Sequence, residues 1–373
     1  MDRRLEQWCM CSCVKSRGRI CAQEVQENRQ QHNGIFLVLE SMKMKEPIET
    51  DSDKFNFRRF RENDEEKLLE LWRITFHKEM NRGLWRWKYF DNPYSQTILL
   101  CESGEGEILA LFGGIPFKGS REGKDVVIVQ AMDIMSHPDF RGKGLFARTA
   151  QTFFETFCKN NPAEILYGFP GKFHFELGKR VLGYAPLESG VSYLKGETGV
   201  LASKKRTSLL SIKKVETPGD QFDTLWEKCS ADYPYAVVRQ SEFLRWRFCR
   251  HPEKKYEIFC LKGILSKEIE GYAVLSLKED AATLVDVLLP ESEKTIAVFF
   301  YKMGLMLRSR GVRQIQTWLP GSHFLKKAAM AAGFEEQDEP LGIFSTIKTF
   351  DHSPDTAWIN NNLFYTMADS DLF

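Results

Sequence analysis

From Phe55 onward, apolar and polar positions alternate or recur at helical spacing; before it they do neither. "KFNFRRF" alternates as a strand. Asn63 with Glu66 three residues later resembles a capping box, and Leu68, Leu69, Leu71, Trp72 and Phe76 give the helix that follows an apolar face. Three strand-like runs come next, "TILLCE", "EILALFGGIPFKG" and "DVVIVQAMDIMSHP", parted by turns such as "REGKD". After Pro138 the loop "DFRGKG" opens a helix predicted over Leu145 to Lys159. A short strand "EILYGFP", a helix from Lys172 to Leu182, and "GYAPLESGVSYLKG" as strand and turn complete this region.

Residues 196–210, small, polar and basic without a period, read as a linker. The order then restarts. A strand "SIKKVE" and a helix "DQFDTLWEKC" precede the strands "YEIFCLKG", "GYAVLSLK" and "ATLVDVLLP". A helix over Glu293 to Arg310, the strand "RQIQTWLP", another helix and an aromatic strand close the series. Two decapeptides set the register of this repeat: "LWRWKYFDNP" from Leu84 and "FLRWRFCRHP" from Phe243, 159 residues apart. Pro138 then corresponds to Pro290. Pro170-Gly171 precedes Gly183-Tyr184 at the interval by which Pro320-Gly321 precedes Gly333-Phe334. The chain is expected to be one fold written twice, with Trp87 and Trp246 buried at matching corners.

The copies differ where the first has Arg141-Gly142-Lys143-Gly144 and the second has Glu291 and Glu293 without a glycine. Glycines let a backbone turn tightly and approach a ligand, and amide N–H groups at a helix start attract anions. One pyrophosphate-like site, in the first copy, is predicted. The spacing is that of neither a P-loop nor a dinucleotide fingerprint.

This order of elements, with "PDFRGKGLF" between strand and helix, resembles the GNAT superfamily of acyl-CoA-dependent N-acetyltransferases, whose acyl-CoA loop is written [QR]-x-x-G-x-[GA]. Arg141, Gly142, Lys143, Gly144 and Leu145 match it, and Phe146 stands where a small residue is usual. The form "RG-x-G-[IL]-F" is similar to that of larger two-module members such as the enhanced-intracellular-survival acetyltransferases. The fold implied is α/β (α+β): two tandem GNAT-like modules, each a mixed, mostly antiparallel sheet flanked by helices, the second degenerate. The boundaries expected are an N-terminal extension 1–53, poorly ordered; a GNAT domain 54–195 with its acyl-CoA loop at 138–146; a linker 196–210; a degenerate domain 211–350; and a C-terminal segment 351–373 packing on both.

The resemblance implies acetyl-CoA as co-substrate, with the pantetheine arm beside Ile134, Met135 and Ser136, and transfer of the acetyl group to a primary amine. An ammonium must first lose its proton. Candidates for the base are Asp133, Glu176 and His174, and for the acid Tyr167 and Tyr184; Lys179 stands where the superfamily's tyrosine often sits. Asp133 could equally cap a splayed strand, and His174 could be an ordinary surface residue. A carboxylate on Phe373 is a further candidate base. The acceptor, a small-molecule or peptide amine, is not named by the sequence. Two alternatives stay open: a non-catalytic acyl-CoA-binding or regulatory protein, and an aminoacyl-tRNA-dependent transferase, against which the acyl-CoA loop itself argues.

Composition narrows this further. The 373 residues carry 52 basic and 51 acidic side chains, so bulk charge implies no nucleic-acid partner. No apolar run suits a membrane span and no signal-peptide core stands out, which makes a cytoplasmic protein the expectation, with self-association into a homo-oligomer left open. Of the nine cysteines, Cys101, Cys158, Cys229, Cys249 and Cys260 are expected as buried apolar residues. Cys9, Cys11, Cys13 and Cys21 lack zinc-finger spacing, so no metal is expected.

Overall fold

The computed structural model describes residues 54–373 apart from 95, 160–162, 188–190, 264–265 and 267. The N-terminal cysteines and the expected extension lie outside the described residues. The first copy runs β1 (Phe55–Arg59), α1 (Glu65–Phe76), α2 (Arg82–Tyr89), β2 (Thr97–Ser103), β3 (Ile108–Arg121) and β4 (Lys124–Ser136). It continues with α3 (Leu145–Phe153), β5 (Ala163–Gly168), α4 (Lys172–Leu182), β6 (Ala185–Pro186), β7 (Tyr193–Glu197) and α5 (Thr198–Ser203). The second copy runs β8 (Leu210–Val215), α6 (Asp220–Cys229), β9 (Tyr235–Val237), α7 (Ser241–Leu244), β10 (Glu257–Gly263), β11 (Ile269–Lys278) and β12 (Ala281–Leu288). There follow α8 (Glu293–Ser309), β13 (Gln314–Trp318), α9 (Phe324–Ala332), β14 (Phe334–Gln337), β15 (Thr346–Thr349), α10 (Thr356–Asn362) and β16 (Leu363–Phe364). Helix α3 is prolonged by a wider π turn, Phe154–Lys159, and α7 by another, Arg245–Cys249. The cap of α1 departs from the expected box: Asp64, not Asn63, accepts the Arg61 N–H at 2.7 Å and holds Arg58 in a bidentate pair.

Each copy builds a mixed, mostly antiparallel sheet with one internal parallel pair, β4 with β5 and β12 with β13. Strand order is β1-β2-β3-β4-β5-β15-β6 in the first sheet and β8-β10-β11-β12-β13-β7-β14 in the second. The two sheets therefore exchange a strand. β7, which follows β6 in sequence, lies between β13 and β14, with Gly196 opposite both Ile315 and Phe334. β15 lies between β5 and β6, with Ile347 opposite both Tyr167 and Ala185.

The expected border at 195 and the linker 196–210 are thus corrected. The linker's first residues complete the second sheet, and α5 packs on α8, where a Cβ on Gly304 would lie 2.6 Å from that of Leu201. Small residues read as a linker because they are crossed at close range: the Phe334 ring sits 3.2 Å from where a Cβ on Gly196 would be.

The decapeptides meet face to face. Trp87 Nε1 donates to the Trp246 carbonyl at 2.9 Å and Trp246 Nε1 to the Trp87 carbonyl at 3.0 Å, with the rings stacked 5.0 Å apart. Both indoles are buried, and the reciprocity is that of a two-fold axis between the copies. The C-terminal segment threads this seam: β16 pairs with β9, β9 extends β3, and Arg239 holds Asp369 in the interior. Cys101, Cys158, Cys229 and Cys260 are buried, whereas Cys249 is exposed at the outer end of its decapeptide.

Candidate active site

β4 pairs with β5 only as far as Gln130, opposite Tyr167. Beyond that pair, β4 continues to Ser136 while β5 ends at Gly168, so the strands part and the β5-side edge of Ile134, Met135 and Ser136 is left without strand partners. A bulge marks the place. The β3 register skips between Leu111 and Gly113 opposite Met135 and Met132, and Asp133 takes a left-handed φ of 50°. Such a φ is uncommon outside glycine, and aspartate is among the residues that tolerate it.

The loop that follows makes one turn of 3₁₀ helix, Pro138–Phe140, then reverses through Gly142 (φ 77°) and Gly144 (φ 73°) into α3. A Cβ on either glycine would meet nothing within 4 Å. The glycines are therefore required by the backbone and not by packing, and the space over the loop is open. Leu145 anchors the helix start in a small core with Cys101, Leu109 and Ala110. Lys143 Nζ stands 4.3 Å over the Phe140 ring, keeping its charge at the loop. Free N–H groups of the first helical turn add to that positive end.

The five proposed acid–base side chains are not brought together. The two oxygens of Asp133, 1% exposed, accept from Lys88 Nζ at 2.8 Å and Tyr89 OH at 3.0 Å, so the group fastens α2 to the sheet. Burial pushes its carboxyl up, with Lys88 opposing. Burial would lower the Lys88 ammonium, but Asp133 and Asp371, the latter 3.5 Å away, more than offset this and raise it. His174, expected at the surface, is buried edge-on against Phe146 at 5.5 Å, its Nε2 has no partner, and burial lowers it to about 4. Tyr184 packs on the face of α4 where Gly178 leaves room for its ring; its hydroxyl is buried and unpartnered, which pushes it up. The Tyr167 hydroxyl is likewise buried and unpartnered. Glu176 is exposed.

A pocket does open on the other face of β4, at the parting point. Gln130 and Met132 form its sheet wall, with Trp87 and Lys88 from the first decapeptide. Trp246, Arg247 and Lys254 close it from the second copy, and Asp371 and Phe373 from the C-terminal segment. Apart from Phe373, the candidate base at its edge, this site is not legible in the sequence, because its walls come from segments far apart in the chain; the local signal is the pair of cations, Lys88 and Arg247, that follow the matched tryptophans. Arg247 donates to the carbonyls of Ala368 (3.1 Å), Ser370 (2.8 Å) and Phe373, and the Phe373 ring stands edge-on to Trp318. Among the described residues no helix is long and apolar enough to cross a membrane, and no cluster of His, Cys, Asp and Glu could hold a metal ion.

Comparison with known proteins agrees with this geometry. Residues 56–185 match the family model described as an acetyltransferase (GNAT) domain. No curated protein sequence matches the chain. Among solved structures, it is similar to a conserved protein of unknown function from Enterococcus faecalis V583, titled a probable N-acyltransferase, at 12% identity and a TM-score of 0.61 over 80% of this chain and 73% of that one. GCN5-related N-acetyltransferases from Kribbella flavida (14% identity, TM-score 0.58, 81% and 73% covered) and Anabaena variabilis (10%, 0.61, 79% and 73%) are also similar. At these identities the structural likeness speaks for the fold.

Proposed function

Because the chain carries a GNAT acetyltransferase domain at residues 56–185, we propose that it transfers an acetyl group from acetyl-CoA to a primary amine. The observation that carries this reading is the pairing of an open edge with an open glycine loop on one strand. Ile134, Met135 and Ser136 offer the edge to the pantetheine arm, and Arg141, Gly142, Lys143 and Gly144, followed by Leu145 and Phe146 in the first turn of α3, hold the pyrophosphate. The thioester then lies near Gln130, and the acceptor enters from the pocket on the opposite face.

The amine nitrogen, once neutral, attacks the thioester carbonyl; a C–N bond forms, the C–S bond breaks, and the proton that the attacking nitrogen then sheds passes to the departing thiolate, giving the amide and CoA. The proton lost by the ammonium goes to a carboxylate within reach. Asp371 lines the pocket and meets Lys88 only at 3.5 Å through one oxygen, whereas both oxygens of Asp133 are taken by Lys88 and Tyr89, so Asp371 takes the role of base and Asp133 that of positioning α2. Acetyl-CoA binding that survives Gly144→Glu unchanged would overturn the proposal.

A second reading, an acyl-CoA-binding protein without catalysis, draws on the buried hydroxyls of Tyr167 and Tyr184, neither of which is free to protonate a leaving thiolate. Acetyl-CoA-dependent thiol release with any amine of a panel excludes it.

A further inference from the structure

The pocket at the seam is lined by three cations, Lys88, Arg247 and Lys254, and their partners are unequal. Lys88 is matched by two carboxylates, Asp133 and Asp371. Arg247 spends its donors on main-chain oxygens of the C-terminal segment and on the Tyr256 hydroxyl. Lys254 makes one bond, to the Leu372 carbonyl at 2.7 Å, and among the described residues no carboxylate lies within ion-pair distance of it. Its neighbour Glu253 is exposed. The loop is fixed nonetheless: His251 Nδ1 accepts the N–H groups of Glu253 (3.2 Å) and Lys254 (3.0 Å), and its ring packs against Trp87. Burial, and then the nearby Arg247, lower the Lys254 ammonium to about 7, with the more distant Asp371 only partly opposing them.

A partly buried ammonium beside like charges is costly unless an anion meets it. The three cations outnumber the two carboxylates that also line the pocket, Glu253 and Asp371, so the site disfavours an acceptor that is only cationic. We infer that the acceptor carries a carboxylate beside its amine, as an amino acid does, and that Lys254 Nζ binds this carboxylate at the seam. The second copy, which lacks an acyl-CoA loop, thereby supplies the group that selects the acceptor. This inference takes the pocket's role as acceptor site from the function proposed above.

The test uses the full chain saturated with CoA and calorimetric titration of glycine and β-alanine, each against its carboxamide, with spermidine as the purely cationic probe. The acids are expected to bind at least about tenfold more tightly than the amides, and Lys254→Met to erase that difference while leaving acetyl-CoA affinity in place. Lys254→Arg keeps the preference for the acid. Equal binding of acid and amide, no binding of either, tighter binding of spermidine, or an equal loss for both probes in Lys254→Met would overturn the inference. The wild-type comparison decides even where a variant does not fold. A Lys254-dependent preference for the acid in a chain that fails to bind acetyl-CoA would uphold this site and sink the acetyltransferase reading.

Discussion

The two copies keep the same strand and differ at what lies beside it. In the first, β4 carries a bulged aspartate, runs on past its last pair with β5, and leads into a loop where, among the described residues, nothing lies within 4 Å of a Cβ placed on Gly142 or Gly144. In the second, β12 also runs on past its last pair with β13 at Thr283 and carries Asp286 next to a bulge at Val285, but side chains occupy part of the opening. Thr317 Oγ1 donates to the Leu284 carbonyl at 2.8 Å across the gap between β12 and β13. The Tyr233 hydroxyl both donates to the Leu289 carbonyl and accepts its N–H. Ser292 caps α8 through the Thr295 N–H, and Glu293 adds a negative charge in the first turn. Asp286 itself is tied to Tyr272, Thr366 and Arg239. One scaffold thus leaves an open strand edge in the first half and crosses part of the matching opening with side chains in the second.

The largest effect that distinguishes the copies should come from the buried cation of the second. Arg239→Ala leaves Asp286 and Asp369 buried without their counter-charge, and is expected to cost roughly 3–5 kcal/mol in urea unfolding. A loss under about 1 kcal/mol would mean that the second core is not built around this cation. Next in size is Gly144→Glu, which sets a β-carbon and a negative charge at a left-handed position facing open space. Acetyl-CoA affinity should fall by roughly 100-fold, or about 2.7 kcal/mol, while Ser292→Gly in the other copy leaves it unchanged.

A smaller effect is shared by both copies. His174 and His323 follow corresponding Pro-Gly turns, both have an unpartnered buried Nε2, and burial lowers them to about 4 and about 3. The unfolded chain takes up these protons near pH 6.5 and the folded chain does so only near the lowered values. Their contribution is therefore complete above pH 6.5 and is lost as pH falls toward 4, by roughly 2–3 kcal/mol for His174. His174→Phe should flatten that slope in unfolding measured from pH 7 to 4; an unchanged slope would show that the imidazole is hydrated. The smallest effect sits on the axis itself. Trp87→Phe and Trp246→Phe each strand one buried carbonyl, at about 1–2 kcal/mol, and the two costs should be nearly equal. Clearly unequal costs would break the two-fold description of the seam.

The parts of this picture legible in the sequence are the local ones. The loop from Arg141 to Phe146 is consecutive in the chain, and its two left-handed positions, Gly142 and Gly144, are glycines, so its shape is written where it lies. The register of the repeat was likewise available from residue order. What escaped is held together by long-range pairing. "YLKGE" and "TIKT" are short, half-polar strands whose partners belong to the other copy, and nothing near them in sequence says so. Asp133 looks like a free carboxylate until Lys88, 45 residues earlier, is seen to occupy it. His174 lies on a helix that reads as amphipathic, and only the approach of Phe146 puts it indoors.

The exchanged strands also bear on whether the halves can exist apart. Neither half contains a whole sheet, since each borrows the strand that separates two of its own. Cutting the chain at the border between the halves would leave each sheet without the strand that joins two of its own, so neither half is expected to fold by itself and the two must be made and lost together.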